Sequence, residues 1–189
     1  MTAAPGLVLP EGLVLEDDEW DGMLATAVMD KSRTYRYLLT RIWDTSRPVM
    51  AVVMLNPSTA DHRKNDPTIT RLAGENGFAR RFGMGGIAVV NLFALRSTDP
   101  RALRDHADPV GPHNDVFIRQ TAASGALVVA AWGAGGVLRD RGQQVTVALS
   151  RAGVRLTALG VTSTGQPRHP LYLPGTAALE PYTGTGVAT

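Results

Sequence analysis

Four short segments hold most of the side chains able to do chemistry. They are Asn56-Pro57-Ser58-Thr59-Ala60-Asp61, Asn91-Leu92-Phe93, Trp132-Gly133-Ala134-Gly135-Gly136 and Gln166-Pro167-Arg168-His169-Pro170-Leu171-Tyr172. A carboxamide presents a donor beside an acceptor, so Asn56 and Asn91 suit an edge that carries both. His169 adds an imidazole, a group that can donate or accept a proton near neutral pH. Asp61 and Asp66, close by in sequence, add carboxylates, which can act as general bases where an asparagine cannot. Ser58, Thr59 and Gly133 suit contacts to a phosphate, and Ser58, Thr59 and Asp61 together alternatively suit Mg²⁺ bound with a nucleotide phosphate. Taken singly each residue has a plainer reading. A strand-end asparagine more often caps a turn, and Trp132-Gly133 more often packs. The recurrence of such residues at successive strand ends points past those readings.

The elements between them explain why they recur. Val49 to Leu55, Ile87 to Leu92 and Ala126 to Ala131 are continuous apolar runs, the pattern of strands covered on both faces. Tyr35 to Trp43 alternates like a strand, and Leu156 to Val161 is a final strand. Helices are predicted over Asp66 to Phe82, His113 to Ala123 and Leu138 to Ala152. The first is capped by Asp66, opened by Pro67 and weakened at Gly74 and Gly77. Residues 96–113, with Pro100, Pro109 and Pro112, are predicted to form a long loop. Strands alternating with helices predict an α/β fold: a three-layer αβα sandwich with a mostly parallel central sheet. Right-handed crossovers then bring the loops to one sheet edge, where such folds bind ligands. Residues 1–30 read as an acidic, irregular N-terminal arm, 31–175 as a single domain, and 176–189 as a frayed C-terminal tail.

Composition narrows the classes. No apolar run is long enough to cross a bilayer, and the N-terminus lacks the basic start and apolar stretch of a signal peptide, so a cytoplasmic protein without a membrane partner is expected. The chain has no cysteine, which excludes disulfides and an iron–sulfur cluster. No metal site and no cofactor are expected. A formal net charge of +2 does not announce a nucleic-acid binder. Arg71, Arg80 and Arg81, and Arg96, Arg101 and Arg104, are local clusters that either track phosphates or form solvated faces. The pattern sets no oligomeric state.

The order of the four segments resembles the uracil-DNA glycosylase superfamily. Asn56-Pro57 is similar to its water-positioning motif in the asparagine version, Val89-Val90-Asn91 to its second motif, Ala131-Trp132-Gly133-Ala134 to its third, and His169-Pro170-Leu171 to its fourth. The blocks MLNPSTAD, NDPTI, GFARRFG, VVNLFALRSTDP, ADPVGPHND, AAWGAGG and GQPRHPLYLP also resemble the bacterial domain of unknown function 1643. The resemblance implies a uracil-DNA glycosylase-like fold with DNA or a nucleotide as partner. It implies hydrolysis of the N-glycosidic bond of a flipped base, with Asn56 holding water, Asn91 reading the base and His169 stabilising charge. Leu171 or Tyr172 would fill the gap left by the base. Phe78 or Phe93 would stack on it, with Trp132 and Arg168 completing the binding set. Two alternatives stand beside this one: a non-excising binding module on the same fold, and a nucleoside or nucleotide hydrolase or transferase.

Overall fold

The structure is a computed structural model that describes residues 9–99 and 101–184. Pro100 of the expected loop, and the outer parts of the expected arm and tail (1–8 and 185–189), lie outside the described residues.

The chain forms an α/β fold built on one eight-stranded sheet in the order β1-β2-β3-β5-β4-β6-β7-β8. The strands are β1 (Leu13–Trp20), β2 (Met23–Asp30), β3 (Arg36–Ile42), β4 (Val49–Met54), β5 (Gly86–Asn91), β6 (Leu127–Ala130), β7 (Leu156–Ala158) and β8 (Glu180–Tyr182). The helices are α1 (Pro67–Ala73), α2 (Phe78–Arg81), α3 (Ala102–Asp105), α4 (Asn114–Ser124) and α5 (Arg141–Arg151). Among the described residues the pairings β5·β4, β4·β6 and β6·β7 are parallel, while β1·β2, β2·β3, β3·β5 and β7·β8 are antiparallel. The sheet is therefore mixed, which corrects the expectation of a mostly parallel one. Its parallel heart is the set of apolar runs, and antiparallel strands flank it on both sides.

Apart from β3, which falls in the expected strand Tyr35 to Trp43, those flanks come from segments expected to be irregular. Residues 13–30 form a hairpin, not an arm. Its turn is Asp21-Gly22, with φ of +54° and +68°, the two-residue geometry that an Asp-Gly pair favours because it matches strand twist. Strand β2 buries Met23, Ala25, Ala27 and Met29 at alternate positions. At the other end β8 pairs with β7, and Tyr182 packs edge-on against Trp132 at 5.6 Å. The interrupted helix divides at Gly74 into α1 and α2. Asp66 caps α1 by accepting the Ile69 N–H at 2.9 Å. The long loop contains α3.

Two apolar cores lie on opposite faces of the sheet. Ala51, Val53, Val90 and Ala130 pack with Phe117 and Ile118 of α4 and Val145 and Leu149 of α5. Met50, Val52, Ile87, Val89 and Val129 pack with Ile69 and Leu72 of α1 and Phe78 of α2. Strand parity thus assigns each residue to a face, and Asn91 shares the α1 face with Val89.

One irregularity decides what else reaches that face. The β2·β3 register shifts between Val28, paired with Leu38, and Met29, paired with Arg36. Tyr37 is the extra residue of this bulge. A bulge reverses parity, so Arg36 joins Leu39 and Arg41 on the α1 side while Tyr37 enters the α4 core.

The hairpin gives a direct test. Gly22 has φ of +68° with open space where a methyl group would sit, so Gly22→Ala meets backbone strain alone. It is expected to cost about 1 kcal/mol. Urea denaturation should show a lower midpoint with unchanged slope.

Candidate functional site

The carboxyl ends of β4, β5 and β6 open into a cavity of about 460 Å³ on the α1 side. Asn56, Asn91 and His169 all line it, with Arg36, Asp66, Ser97 and Trp132 among their neighbours. A second cavity of about 610 Å³ shares Leu55 and Ala134 with it and carries Arg101, Arg104 and Arg139. The larger space holds cations and apolar groups but no carboxamide, imidazole or carboxylate. The smaller one is therefore the candidate site.

Asn91 ends β5 and is only 1% exposed, yet neither its Oδ1 nor its Nδ2 has a hydrogen-bond partner among the described residues. Leaving such groups unpaired in a dry interior costs about 1–3 kcal/mol each. Its backbone, by contrast, is tied down. Asn114 of α4, fully buried, donates through Nδ2 to the carbonyls of Asn91 at 2.9 Å and Leu92 at 3.0 Å. Arg141 Nε donates to the same Leu92 carbonyl at 3.0 Å, and its Nη2 pairs with Asp115. The strand end is fixed from behind while its amide faces the cavity.

Asn56 is oriented with equal definition. Its Nδ2 donates to the carbonyls of Ser97 at 2.9 Å and Pro57 at 3.1 Å. Both donors are spent, so the side chain presents Oδ1, an acceptor, to any ligand or water. The Ser97 N–H returns a bond to Pro57 O at 2.9 Å, locking the two loops together.

The third and fourth segments hold one another. Trp132 is buried and donates from Nε1 to Gln166 Oε1 at 3.0 Å. The Gly133 N–H donates to Pro167 O at 2.9 Å, so it is not free for a phosphate. These bonds seat His169 beside Gly133. His169 Nδ1 accepts the Leu171 N–H at 3.3 Å, which assigns the proton of the neutral ring to Nε2. Burial pushes the imidazole below its ordinary 6.5, partly opposed by Asp66. Beyond it Tyr172 stands 83% exposed at the rim, with Leu171 beside it.

Asp66 lines the cavity with Pro67, Thr68 and Ile69, while Oδ1 serves as the α1 cap. Ser58 and Thr59 are also on the wall. Four expected residues lie outside it. Asp61 folds back to accept the N–H groups of Arg63 at 2.8 Å and Lys64 at 3.1 Å; although burial raises its pKa, these bonds bring it below the ordinary value. Phe93 is fully buried in the α4 core. Phe78 lies in the other core beneath Arg71 and Arg81, 5.1 and 5.4 Å from its ring. Arg168 points to solvent and donates to Val161 O. The arginines of α1 and α2 act as internal staples, with Arg71 on Leu173 O, Arg81 on Ala177 O and Arg80 stacked on Trp43 at 4.3 Å. Among the described residues no group of three or more His, Asp or Glu side chains is placed to hold a metal ion.

Sequence reasoning missed Arg36, Asn114 and Arg141, and it gave Gln166 no role of its own. Arg36 is 2% exposed and lines the cavity floor. Burial lowers its pKa to about 10, so it remains cationic at neutral pH. The visible signal was an arginine inside an otherwise apolar strand pattern. Asn114 lay in plain view in HND, but only the fold shows that its amide reaches β5.

A family model described as "Protein of unknown function (DUF1643)" matches residues 36–171. The chain belongs to the DUF1643 family. No curated protein and no solved structure matches it. The match spans the DUF1643 protein from Arg36, the cavity's cation, to Leu171 at its rim, and so includes the whole candidate site apart from Tyr172. No helix among the described residues of this DUF1643 protein is long and apolar enough to cross a membrane.

Two outcomes follow. Asn114→Ala strips donors from two buried carbonyls and is expected to destabilise the fold by about 2–4 kcal/mol, measured by thermal denaturation. Because the folded chain holds His169 below 6.5, the unfolded chain binds more protons just under that value. Stability from this group is complete above pH 6.5 and is lost as pH falls through the interval toward the folded value. An NMR titration should place the His169 midpoint below 6.5, and a His169→Gln variant should lose less stability over the same range.

Proposed function

We propose that this chain hydrolyses the N-glycosidic bond of a nucleobase, with the base held in the cavity at the ends of β4, β5 and β6. The observation that carries this reading is the Asn91 carboxamide, buried and without a protein partner on either polar atom. A nucleobase edge offers the complementary acceptor and donor at matching separation. The cavity volume of about 460 Å³ suits a base with part of its sugar.

The other wall residues supply the remaining roles. Asn56 Oδ1 accepts a hydrogen bond from the attacking water. The second carboxylate oxygen of Asp66 takes that water's proton. The water oxygen bonds to the sugar carbon as the carbon–nitrogen bond breaks and its electron pair leaves with the base. His169, neutral, donates from Nε2 to the departing base, which suits its lowered proton affinity. This reading replaces Asp61, which is turned away, with Asp66. Trp132 holds the fourth segment and does not stack on the base. The helices on both faces agree with the three-layer αβα sandwich of a uracil-DNA glycosylase-like fold, whose flanking strands here are antiparallel.

A polynucleotide is favoured over a free nucleoside by the surroundings. Arg101, Arg104 and Arg139 line the adjoining cavity, and the exposed Tyr172 and Leu171 stand where they would replace an extruded base. Arg101 is partly neutralised by Asp99 at 2.8 Å, while Arg104 has no side-chain partner among the described residues. The non-excising module has one observation in its favour: the only carboxylate on the cavity wall is already engaged as a helix cap.

Oligonucleotides carrying uracil, hypoxanthine or alkylated bases, treated with alkali after incubation, test the proposal beside free nucleosides. Strand scission at one modified base is expected. Asn91→Ala should lower kcat/KM about 100-fold, and Asn56→Ala by a similar factor. Binding without scission would favour the module, and base release from nucleosides alone would favour a nucleoside hydrolase.

A further inference from the structure

Two arginines of β3 are buried on the same face, and they are satisfied very differently. Arg41, fully buried, donates to the carbonyls of Thr40, Asp61 and Lys64 and to Asn65 Oδ1, so its guanidinium is a structural staple for the 60–66 loop. Arg36 makes one bond from its side chain, Nη1 to Ala60 O at 2.7 Å. Its Nε is buried without an acceptor, Nη2 has none among the described residues, and no carboxylate comes within ion-pair distance. A buried cation left without a counter-charge or full hydrogen bonding is costly. The bulge at Tyr37 nonetheless aims it into the cavity, on the strand next to Asn91. Among the charged groups acting on it, Asp66 and Asp61 offset part of this cost, while Arg96 and Arg41 add to it.

We infer that Arg36 is the anion-binding group of this cavity, receiving a ring carbonyl oxygen of the base on which negative charge accumulates as the base departs. The inference rests on the nucleobase reading and names its substrate class. When the carbon–nitrogen bond breaks, the electron pair moves onto the base and delocalises to a carbonyl oxygen conjugated with the glycosidic nitrogen. That oxygen accepts from Arg36, whose charge is matched only then. The site thus favours keto bases that leave as anions and disfavours cationic alkylated bases, which leave neutral. Asn91 reads the adjoining ring N–H and carbonyl, and His169 contributes a neutral donor beside the cation.

Free bases test this without turnover. Uracil and 5-nitrouracil, and hypoxanthine and xanthine, are two pairs in which the second member has the more acidic ring N–H. Calorimetric titration of the full chain at one neutral pH is expected to show the more acidic member of a pair binding about tenfold tighter or more. Arg36→Lys should keep much of that preference, and Arg36→Gln should abolish it. Circular dichroism checks that each variant is folded, and the wild-type comparison stands even where Arg36→Gln is not. Equal binding of both members by the wild type, or a preference that survives Arg36→Gln, overturns the role of Arg36 and leaves the nucleobase reading standing. Binding of no base in either form overturns both.

Discussion

The constraint on which the site depends is the demand of a buried carboxamide for partners. Asn91 sits at the end of the central strand β5, buried at the cavity wall, with both polar atoms unmatched by protein among the described residues. Such a group is tolerated only where the fold holds it rigidly and stability elsewhere absorbs the cost. The rigidity is visible. Strand β5 is hydrogen-bonded to β4 along Gly86 to Asn91, and Asn114 and Arg141 fix the carbonyls that follow. Among the described residues the hydrogen bonding around Asn91 holds its backbone, and none serves its side chain.

Charge is arranged around that amide with economy. Arg36 is a permanent cation on the floor, Asp66 a carboxylate on the wall, and His169 a ring held toward its neutral form by burial. Asp66 is the largest charged influence on Arg36 and the only one resolved on His169. One side chain therefore caps α1, tempers the floor cation and raises the imidazole's proton affinity. Its removal would act on helix, floor and wall together. The adjoining cavity has the opposite character, with three arginines and an exposed Val137 but no group able to move a proton.

Much of the site was legible because the apolar runs mark where strands end, and the residues just after them are the ones that converge. Asn56, Asn91 and His169 could be named on that basis. Parity and turn chemistry separated the rest. Asp61 and Asp66 share a loop, but Asp61 closes an Asx turn on Arg63 while Asp66 precedes Pro67 and caps a helix at the cavity wall. Phe93 lies two residues past Asn91, where the chain dives into the α4 core. The N-terminal hairpin was readable from Asp21-Gly22 between alternating residues, but the run of acids from Glu16 to Glu19 masked it. Arg36 stood out as an arginine in a strand pattern, but its face was not readable, because that depends on a bulge that a one-residue register shift creates and no local pattern announces. At the opposite edge, β8, with three residues, carries too little periodicity to stand out.

The central claim is that the Asn91 amide exists to meet a ligand, and its side-chain NMR signal tests this most directly. Asn91 and Asn114 are neighbours whose Nδ2 groups have opposite duties, that of Asn91 unpartnered among the described residues and that of Asn114 spent on two carbonyls. Adding a base that binds should shift the Asn91 Nδ2 proton pair saturably while the Asn114 pair stays in place. A base that binds and saturates while leaving the Asn91 pair unmoved would contradict the account.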